Sequence, residues 1–429
     1  MPGVTDTTIT PMLDEVFAKV PMEKLFPNYS EIWKKKLKPA ASHNINARGG
    51  FYLIQTGSSN SLETSDFTEA AGGDFPLAGE SSYLKLNVSM KTDRSTIEWN
   101  GNVDAQNEAQ QKQNPAKAVD YVGNELEGIM RFYAITRSRQ IWQDGSNEVA
   151  RISGVNTGTR TLTCNNAGNL FGVQLLEEGM LVEFRDASGN LRYDGMSRFV
   201  KIESTDRANK TFRYSAETPL PNGVTNADRV YPKGSYNNGW AGIDFFLGTS
   251  GTFEGMSDRT SHYRTTGVRI PAGGKSVSAG LLRRMLSSQK YRRDGEESDG
   301  EFYASAQYDA YEATGFATQS FGQSGDTLKR GFRKMFFDSK PFNEDIYVPR
   351  DVLAFVDFKK IHKFELLKFG PRKFRGDYVM PVPSANGQTW SDKFQILLQG
   401  FGNLGTNHPA AVGVWCSGLS TSGLALGND

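Results

Sequence analysis

The sequence predicts an α+β chain carrying a small inserted β-barrel or β-sandwich, and three observations lead to it. Residues 114–142 hold one apolar stripe at helical spacing. Residues 149–236 break into short alternating runs separated by turn clusters. Residues 51–54 and 83–90 flank a long stretch rich in Gly, Ser and acid, the second of them alternating in period two.

Composition narrows the class. The 429 residues carry 49 Lys and Arg against 48 Asp and Glu, a formal charge of +1. The pI of about 7.7 is below the value of about 9 usual for a strongly basic nucleic-acid domain. With 45 Gly, 27 Phe and 16 Tyr, the balance favours strands and turns. The length predicts two or three domains, each large enough for a core. Cys164 and Cys416 stand far apart, so neither a disulfide framework nor a cysteine zinc site is expected, and a reducing compartment fits. The opening MPGVTDTTIT lacks a basic start and an apolar core, which argues against a signal peptide. No apolar run reaches about 18 residues, and Gly and Ser interrupt the tail from Ala410 to Leu426, so no membrane span is expected.

In chain order, Met12, Leu13, Val16, Phe17 and Val20 mark a helical face that Pro21 interrupts. Leu25, Phe26, Ile32 and Trp33 form a second apolar set, and Lys34, Lys35, Lys36 and Lys38 close it with charge suited to a helix C-terminus. This segment reads as a surface helix pair or as an arm that docks on a neighbour. Phe51-Tyr52-Leu53-Ile54 and Tyr83 to Met90 then form the two strands of a long excursion. A connection beyond about 15 residues inside a compact domain is uncommon unless it binds something, and a lone hairpin needs a partner surface. Asn114-Pro115 caps a helix whose stripe is Val119, Val122, Leu126, Ile129 and Tyr133, running to about Trp142 against a sheet.

The next block is a β-barrel or sandwich built from 160–164, 180–185, 197–203, 211–214 and 229–231. Beyond Trp240, Ser278 to Tyr291 reads as an amphipathic helix, Gly300 to Ala306 as a strand and Asp309 to Thr314 as the start of a short helix. Arg333 to Asp338, Ile346-Tyr347-Val348, Lys393 to Phe401 and Val412 to Cys416 read as strands.

Catalytic signatures do not emerge. His43, His262, His362 and His408 never pair at metal spacing, and neither HExxH nor GxSxG occurs. Ser250 reads as a loop serine. Gly273-Gly274-Lys275-Ser276 ends like a phosphate-cradling loop, but Arg269 stands where the first glycine belongs. Asp186 to Asn190 lacks the acids of a calcium loop. No enzyme activity, cofactor or metal is therefore expected.

The charges are unevenly placed. Residues 49–84 contain Glu63, Asp66, Glu69, Asp74 and Glu80 and no Lys or Arg, a charge of −5. Residues 359–375 hold Lys359, Lys360, Lys363, Lys368, Arg372, Lys373 and Arg375 against Glu365 alone, a charge of +6. Phe358, Phe364, Phe369 and Phe374 interleave with them. Three readings stay open for the basic stretch: a solvated strand face, a nucleic-acid patch that uses Lys and Arg for phosphate and Phe for stacking, or the receptor for a neighbour's acidic loop.

The order of parts resembles the tailed-bacteriophage major capsid protein, whose fold is shared with encapsulins. Arg48 to Gly57 with Tyr83 to Ile97 is similar to the two arms of its extended loop, and Asn114 to Trp142 to its spine helix. Gly255-Met-Ser-Asp-Arg259 with Tyr263-Arg264 is similar to the start of its axial domain, and Ser278 to Tyr291 with Gly300 to Ala306 to the axial helix and strand. Asn407-His-Pro-Ala-Ala411 is loosely similar to a turn near its C-terminus.

The resemblance implies an N-terminal arm at 1–45 and an extended loop at 46–98. A peripheral domain with the spine helix follows at 99–148, then an inserted β domain at 149–236. An axial domain at 237–345 and peripheral strands returning to it at 346–429 complete the chain. It implies pentamers and hexamers in an icosahedral shell around double-stranded DNA, located in the virion and assembled in the host cytoplasm. Partners would be the chain itself, a decoration or cement protein, a portal, a separate scaffold, and packaged DNA through non-specific contact on the inner face, with no membrane. Intersubunit contact would join the five acids of 49–84 to the seven basic residues of 359–375. With no Lys in 49–84, those contacts would be non-covalent. The competing reading is a β-rich carbohydrate-active enzyme or carbohydrate-binding module.

Overall fold

The computed structural model describes residues 32–41, 45–46, 49–57, 81–101, 121–165, 172–193, 195, 198–293, 295–313, 335–373, 377–384 and 390–422. The expected helical face from Met12 to Phe26, the acidic tip at 58–80 and the helix start at Asn114-Pro115 lie outside these residues.

Ile32–Lys36 forms one wide helical turn, closed by the Leu37 amide donating to the Ile32 carbonyl at 3.0 Å. Strands β1 (Lys38–Pro39) and β2 (Ile45–Asn46) lead into a hairpin of β3 (Gly49–Gly57) and β4 (Ser82–Val88), and β5 (Lys91–Asn100) follows. The long helix α1 covers Tyr121–Gln140. It buries Leu126, Met130 and Ala134 and half-buries Ile129 and Tyr133, so its inward stripe is rotated slightly from the expected one. Its last turn is buried although it carries Arg137 and Arg139. Arg137 pairs with Asp93 and lies over the Trp240 ring at 4.0 Å, and Arg139 donates to Asn147. Burial lowers the Arg139 guanidinium to about 10.

The inserted block is a closed barrel of β6 (Ala150–Asn156), β7 (Thr161–Asn165), β8 (Leu181–Arg185), β9 (Val200–Asp206), β10 (Thr211–Tyr214) and β11 (Arg229–Pro232), in the order β10-β7-β6-β11-β8-β9. Its hairpins β6–β7 and β9–β10 match each other. β6 and β9 share one burial pattern, alternating at the start and exposed toward the turn. Asn156 and Asp206 each cap their turn by accepting a backbone amide, from Thr159 at 3.2 Å and Asn209 at 3.0 Å. Arg160 and Lys210 close the turns with a φ of 56° in each. The Tyr214 amide donates to the Arg160 carbonyl at 3.0 Å, and the Cys164 amide donates to the Lys210 carbonyl at 2.8 Å. The two hairpins thus clasp each other about a local pseudo-twofold.

The chain continues through α2 (Ile243–Phe246), β12 (Val268–Pro271), α3 (Ala279–Arg292), β13 (Glu301–Ala304) and α4 (Ala306–Ala313). Next come β14 (Met335–Phe337), β15 (Lys340–Glu344), β16 (Leu353–Val356), β17 (His362–Pro371), β18 (Val379–Pro383), β19 (Trp390–Gly405), α5 (Pro409–Val412) and β20 (Gly413–Ser417). Ile346-Tyr347-Val348 is a turn and not the expected strand. Asp345 organises it, with Oδ1 accepting from the Tyr347 amide at 2.9 Å and its carbonyl accepting from Val348 at 3.1 Å, a local bond that competes with ladder pairing.

Two sheets frame the molecule. One runs β1-β17-β19-β18, with β5 along the other side of β19 from Asn100↔Lys393 to Lys91↔Gly402. Helix α1 packs against it through Leu126 and Met130 on Ile97, Trp99, Ile396 and Leu398, so the stripe backs a sheet as its pattern requires. The other sheet runs β12-β20-β16-β13-β15-β14. Helix α3 covers it with Leu282 and Met285 over Val268, Ile270 and Cys416.

Candidate intersubunit surfaces

The β3–β4 hairpin is two-faced because its side chains alternate. Tyr52, Ile54, Leu86 and Val88 point into the main core. Leu53 and Tyr83 on the other face are 66% and 68% exposed, and Lys85 lies over the Phe51 ring at 4.9 Å. The strands pair in register from Gly50↔Val88 to Gln55↔Tyr83.

The hairpin root is bolted down. The Tyr52 hydroxyl meets His362 Nδ1 at 3.0 Å and donates to the Gly405 carbonyl at 3.3 Å, and its ring stands edge-on to Phe364 at 5.2 Å. Burial, followed by the Lys360 and Lys38 charges, holds His362 below the usual imidazole range. Gly50 admits the Phe364 ring, because a Cβ there would fall 2.2 Å from Cδ1. Replacing Gly50 with valine is therefore expected to lower stability by about 1–3 kcal/mol through overpacking. Thermal unfolding would show it, together with faster amide exchange along β3 and β4 than in the barrel.

The five acids, Glu63, Asp66, Glu69, Asp74 and Glu80, lie outside the described residues, as does Arg375. The remaining basic residues spread over several surroundings. Lys359 pairs with Asp299 at 2.7 Å. Lys363 lies over the Trp33 ring at 5.0 Å. Arg372 donates to Gln399, and Lys373 lies over Tyr378 at 4.6 Å. Lys360 and Lys368 form no ion pair among the described residues. Phe358, Phe364 and Phe369 are core residues, from 0% to 7% exposed. Those three rings are unavailable for stacking on bases, which removes the aromatic half of the nucleic-acid reading for them.

Of two charged residues beside the hairpin root, Glu254 had no place in the sequence reading and Arg259 entered it only as the end of the Gly255–Arg259 stretch. The Glu254 carbonyl accepts the Asn87 amide of β4 at 2.7 Å. Its carboxyl accepts the Thr406 amide at 3.3 Å through Oε1, while Oε2 is buried without a hydrogen-bond partner. Burial pushes this carboxyl up to about 8, and the Thr406 amide and Arg259 charge offset only part of that. Arg259 is 2% exposed and ties together the loop after α2. Its Nη1 donates to the carbonyls of Phe245 and Gly248, each at 2.9 Å, and its Nη2 to that of Thr252 at 3.3 Å. Its guanidinium lies beside the stacked Phe245 and Phe253 rings, 5.1 and 4.9 Å from their centroids. The available signal was Arg259 itself, in a Gly-rich, acid-flanked stretch where a charged side chain could reach many carbonyls.

Among the described residues, no group of three His, Cys, Asp or Glu could hold a metal ion, and no helix is long and apolar enough to cross a membrane. The Gly274 amide donates to the Gly418 carbonyl at 2.8 Å, so this amide of the Gly-Gly-Lys turn is already engaged. Both cysteines are buried and unpaired, and burial raises Cys164 to about 12 and Cys416 to about 11, leaving inert thiols.

The course of the chain is similar to that of capsid subunits. The cyanophage A-1(L) capsid asymmetric unit matches over 94% of this chain and 99% of its own, at 9% identity and a TM-score of 0.47. The capsid of the empty GTA particle matches over 92% of each chain, at 9% identity and a TM-score of 0.43. The satellite phage P4 procapsid with its size determination (Sid) protein matches over 96% of this chain and 100% of its own, at 9% identity and a TM-score of 0.34. No protein-family model and no curated protein matches the chain.

Proposed function

We propose that this chain is the major capsid protein of a bacteriophage, assembling through pentamers and hexamers into an icosahedral shell around double-stranded DNA. The observation that carries this reading is the hairpin. Its root is fixed by Tyr52, His362 and Phe364, while its outer face shows Leu53 and Tyr83 to solvent. A two-stranded ribbon gains stability from a surface to lie on, and a second copy of the chain supplies one. A subunit gripped by several neighbours then holds its place by effective concentration although each contact is weak.

In this reading the acids at Glu63, Asp66, Glu69 and Asp74 meet basic residues of the next copy, with Lys360 and Lys368 available to receive them and Lys359 already engaged by Asp299. The contacts are non-covalent, the barrel faces a decoration or cement protein, and a portal and a separate scaffold complete the assembly. The subunit acts in the virion after assembly in the host cytoplasm and performs no catalysis.

Electron microscopy of the purified chain tests the reading: uniform shells support it, and monomers with affinity for glycans overturn it. Neutralising the four acids as Glu63→Gln, Asp66→Asn, Glu69→Gln and Asp74→Asn is expected to reduce particle yield and flatten its dependence on salt. Equal yields from variant and parent at every salt concentration would remove the acid-to-base contact while leaving the shell standing.

A further inference from the structure

An unneutralised basic surface lies on α3, away from the 359–375 stretch. Between Arg259 and Arg293 the sequence has no Asp or Glu and nine Lys and Arg. The structure sorts these nine by role. Arg259 is the buried tie described above. Arg269 pairs with Asp244, and Arg293 pairs with Asp357 at 3.0 Å. Lys290 is 3.6 Å from Glu297 in the acidic turn that follows α3. Lys275, Arg283 and Arg284 form no ion pair among the described residues, and all three are exposed.

Helical geometry gathers the remainder on one side. Leu282, Met285 and Gln289 face inward, and Gln289 fastens the helix by donating to the Ala411 carbonyl at 3.3 Å. Arg283, Arg284 and Tyr291 face outward, with Tyr291 84% exposed. At the C-terminal end, Arg292 donates to the Tyr263 carbonyl at 3.2 Å, and Arg264 donates to the Tyr263 hydroxyl at 3.0 Å. That places Tyr263, itself 50% exposed, beside two guanidinium groups. The face runs the length of a 14-residue helix, about 21 Å at 1.5 Å per residue. Duplex DNA presents about one phosphate per 3.4 Å on each strand, so roughly six phosphates of one strand fit along it.

We propose that the outer face of α3, with Arg283 and Arg284 at its centre and Tyr263, Tyr291 and Arg292 at its end, binds the phosphate backbone of double-stranded nucleic acid without regard to sequence. Arginine and tyrosine are both phosphate donors that carry no base information, and no carboxylate on the helix competes for them. The proposal gives the DNA of the shell reading a contact surface. It stands on charge and exposure, so it can fail or succeed apart from that reading.

The test is fluorescence anisotropy of a labelled 30-base-pair duplex titrated with the full chain across a salt series. The parent is expected to bind with an affinity that falls linearly in log–log against salt and is equal for a scrambled duplex. The Arg283→Ala/Arg284→Ala variant should lose roughly 30- to 100-fold at 0.1 M salt and about two units of salt slope. Arg283→Lys/Arg284→Lys should keep most of the binding, and Lys201→Ala/Arg207→Ala on the barrel should match the parent. Binding by the Ala variant equal to the parent's, no binding by the parent at 0.05 M salt, or equal competition by polyglutamate would each overturn the proposal. The last result would assign the face to an acidic polypeptide, such as a second copy's Glu296–Asp299 turn. Electron microscopy of the parent, run beside the duplex titration, separates the two ideas. Parent shells with no duplex affinity sink this proposal alone, and duplex affinity without shells sinks the shell reading alone.

Discussion

Arg259→Ala is expected to destabilise the protein by about 3–5 kcal/mol, among the largest losses for a single substitution. The guanidinium is the shared donor for the carbonyls of Phe245, Gly248 and Thr252. Removing it strips the Thr252 carbonyl of its donor, at about 1–3 kcal/mol if water cannot reach it, and leaves the Phe245 and Gly248 carbonyls with only the amides of Gly248 and Gly267. It also removes the cation that lies against the stacked Phe245 and Phe253 rings and withdraws the positive charge facing Glu254. Lysine should rescue little, because one ammonium cannot reproduce a planar fork that reaches several carbonyls. The midpoint of thermal or denaturant unfolding checks this, and a fall of less than about 1 kcal/mol for the alanine variant would show that water replaces the fork.

Glu254→Gln is expected to stabilise the protein at neutral and alkaline pH. The carboxyl is raised to about 8 in the folded chain from a value near 4.3 when unfolded, so between these values the folded state binds the extra proton. The contribution of Glu254 is then fully present below about pH 4.3 and is lost as pH rises through 8. At pH 7, about 2.7 pH units above the unfolded value, the loss is about 3.5 kcal/mol by this linkage, and glutamine, which keeps the shape and needs no proton, should recover much of it. The parent's stability should fall from pH 5 to pH 8 by more than the variant's. Parallel pH profiles for the two would mean that Glu254 stays ionised beside Arg259. Because the Glu254 backbone holds Asn87 of β4, amide exchange at the hairpin root should quicken with pH in the parent and change less in the variant.

Where burial alternates with exposure, the sequence was readable. The return strand 82–88 and barrel strands β7 and β10 show one core face each, and there the pattern in the residues is the pattern in space. Strand β5 was harder to see as the full-length partner of β19, because Ile97 and Trp99 are its buried residues and Lys91 to Thr96 are polar. What pairs it is backbone, which the side-chain code does not record. Ile346-Tyr347-Val348 misled because three β-favouring side chains in a row carry no sign of the Asp345 turn that captures them. The basic stretch at 359–375 looked uniform on paper. In space Lys359, Lys363, Arg372 and Lys373 each meet a different neighbour, and the Phe residues between them turn inward. The α3 surface was legible as an acid-free run, yet Arg259 and Arg293 are buried and Arg269 is held by Asp244, a division that needs the fold to draw it.

The barrel is attached by a narrow stalk. Its first and last strands, β6 and β11, are partners, and the Val149 amide donates to the Val230 carbonyl at 2.9 Å. Below them the Asn237 amide donates to the Ser146 carbonyl at 3.0 Å, and Gly239 approaches the Gly145 carbonyl so closely that a Cβ would sit 3.0 Å from it. Chain ends that leave a module side by side place little demand on its host. The barrel is therefore a separable fitting: a short linker or a foreign domain with adjacent termini could be spliced between Glu148 and Asn237, keeping Asn147 for Arg139, while the two framing sheets keep their registers.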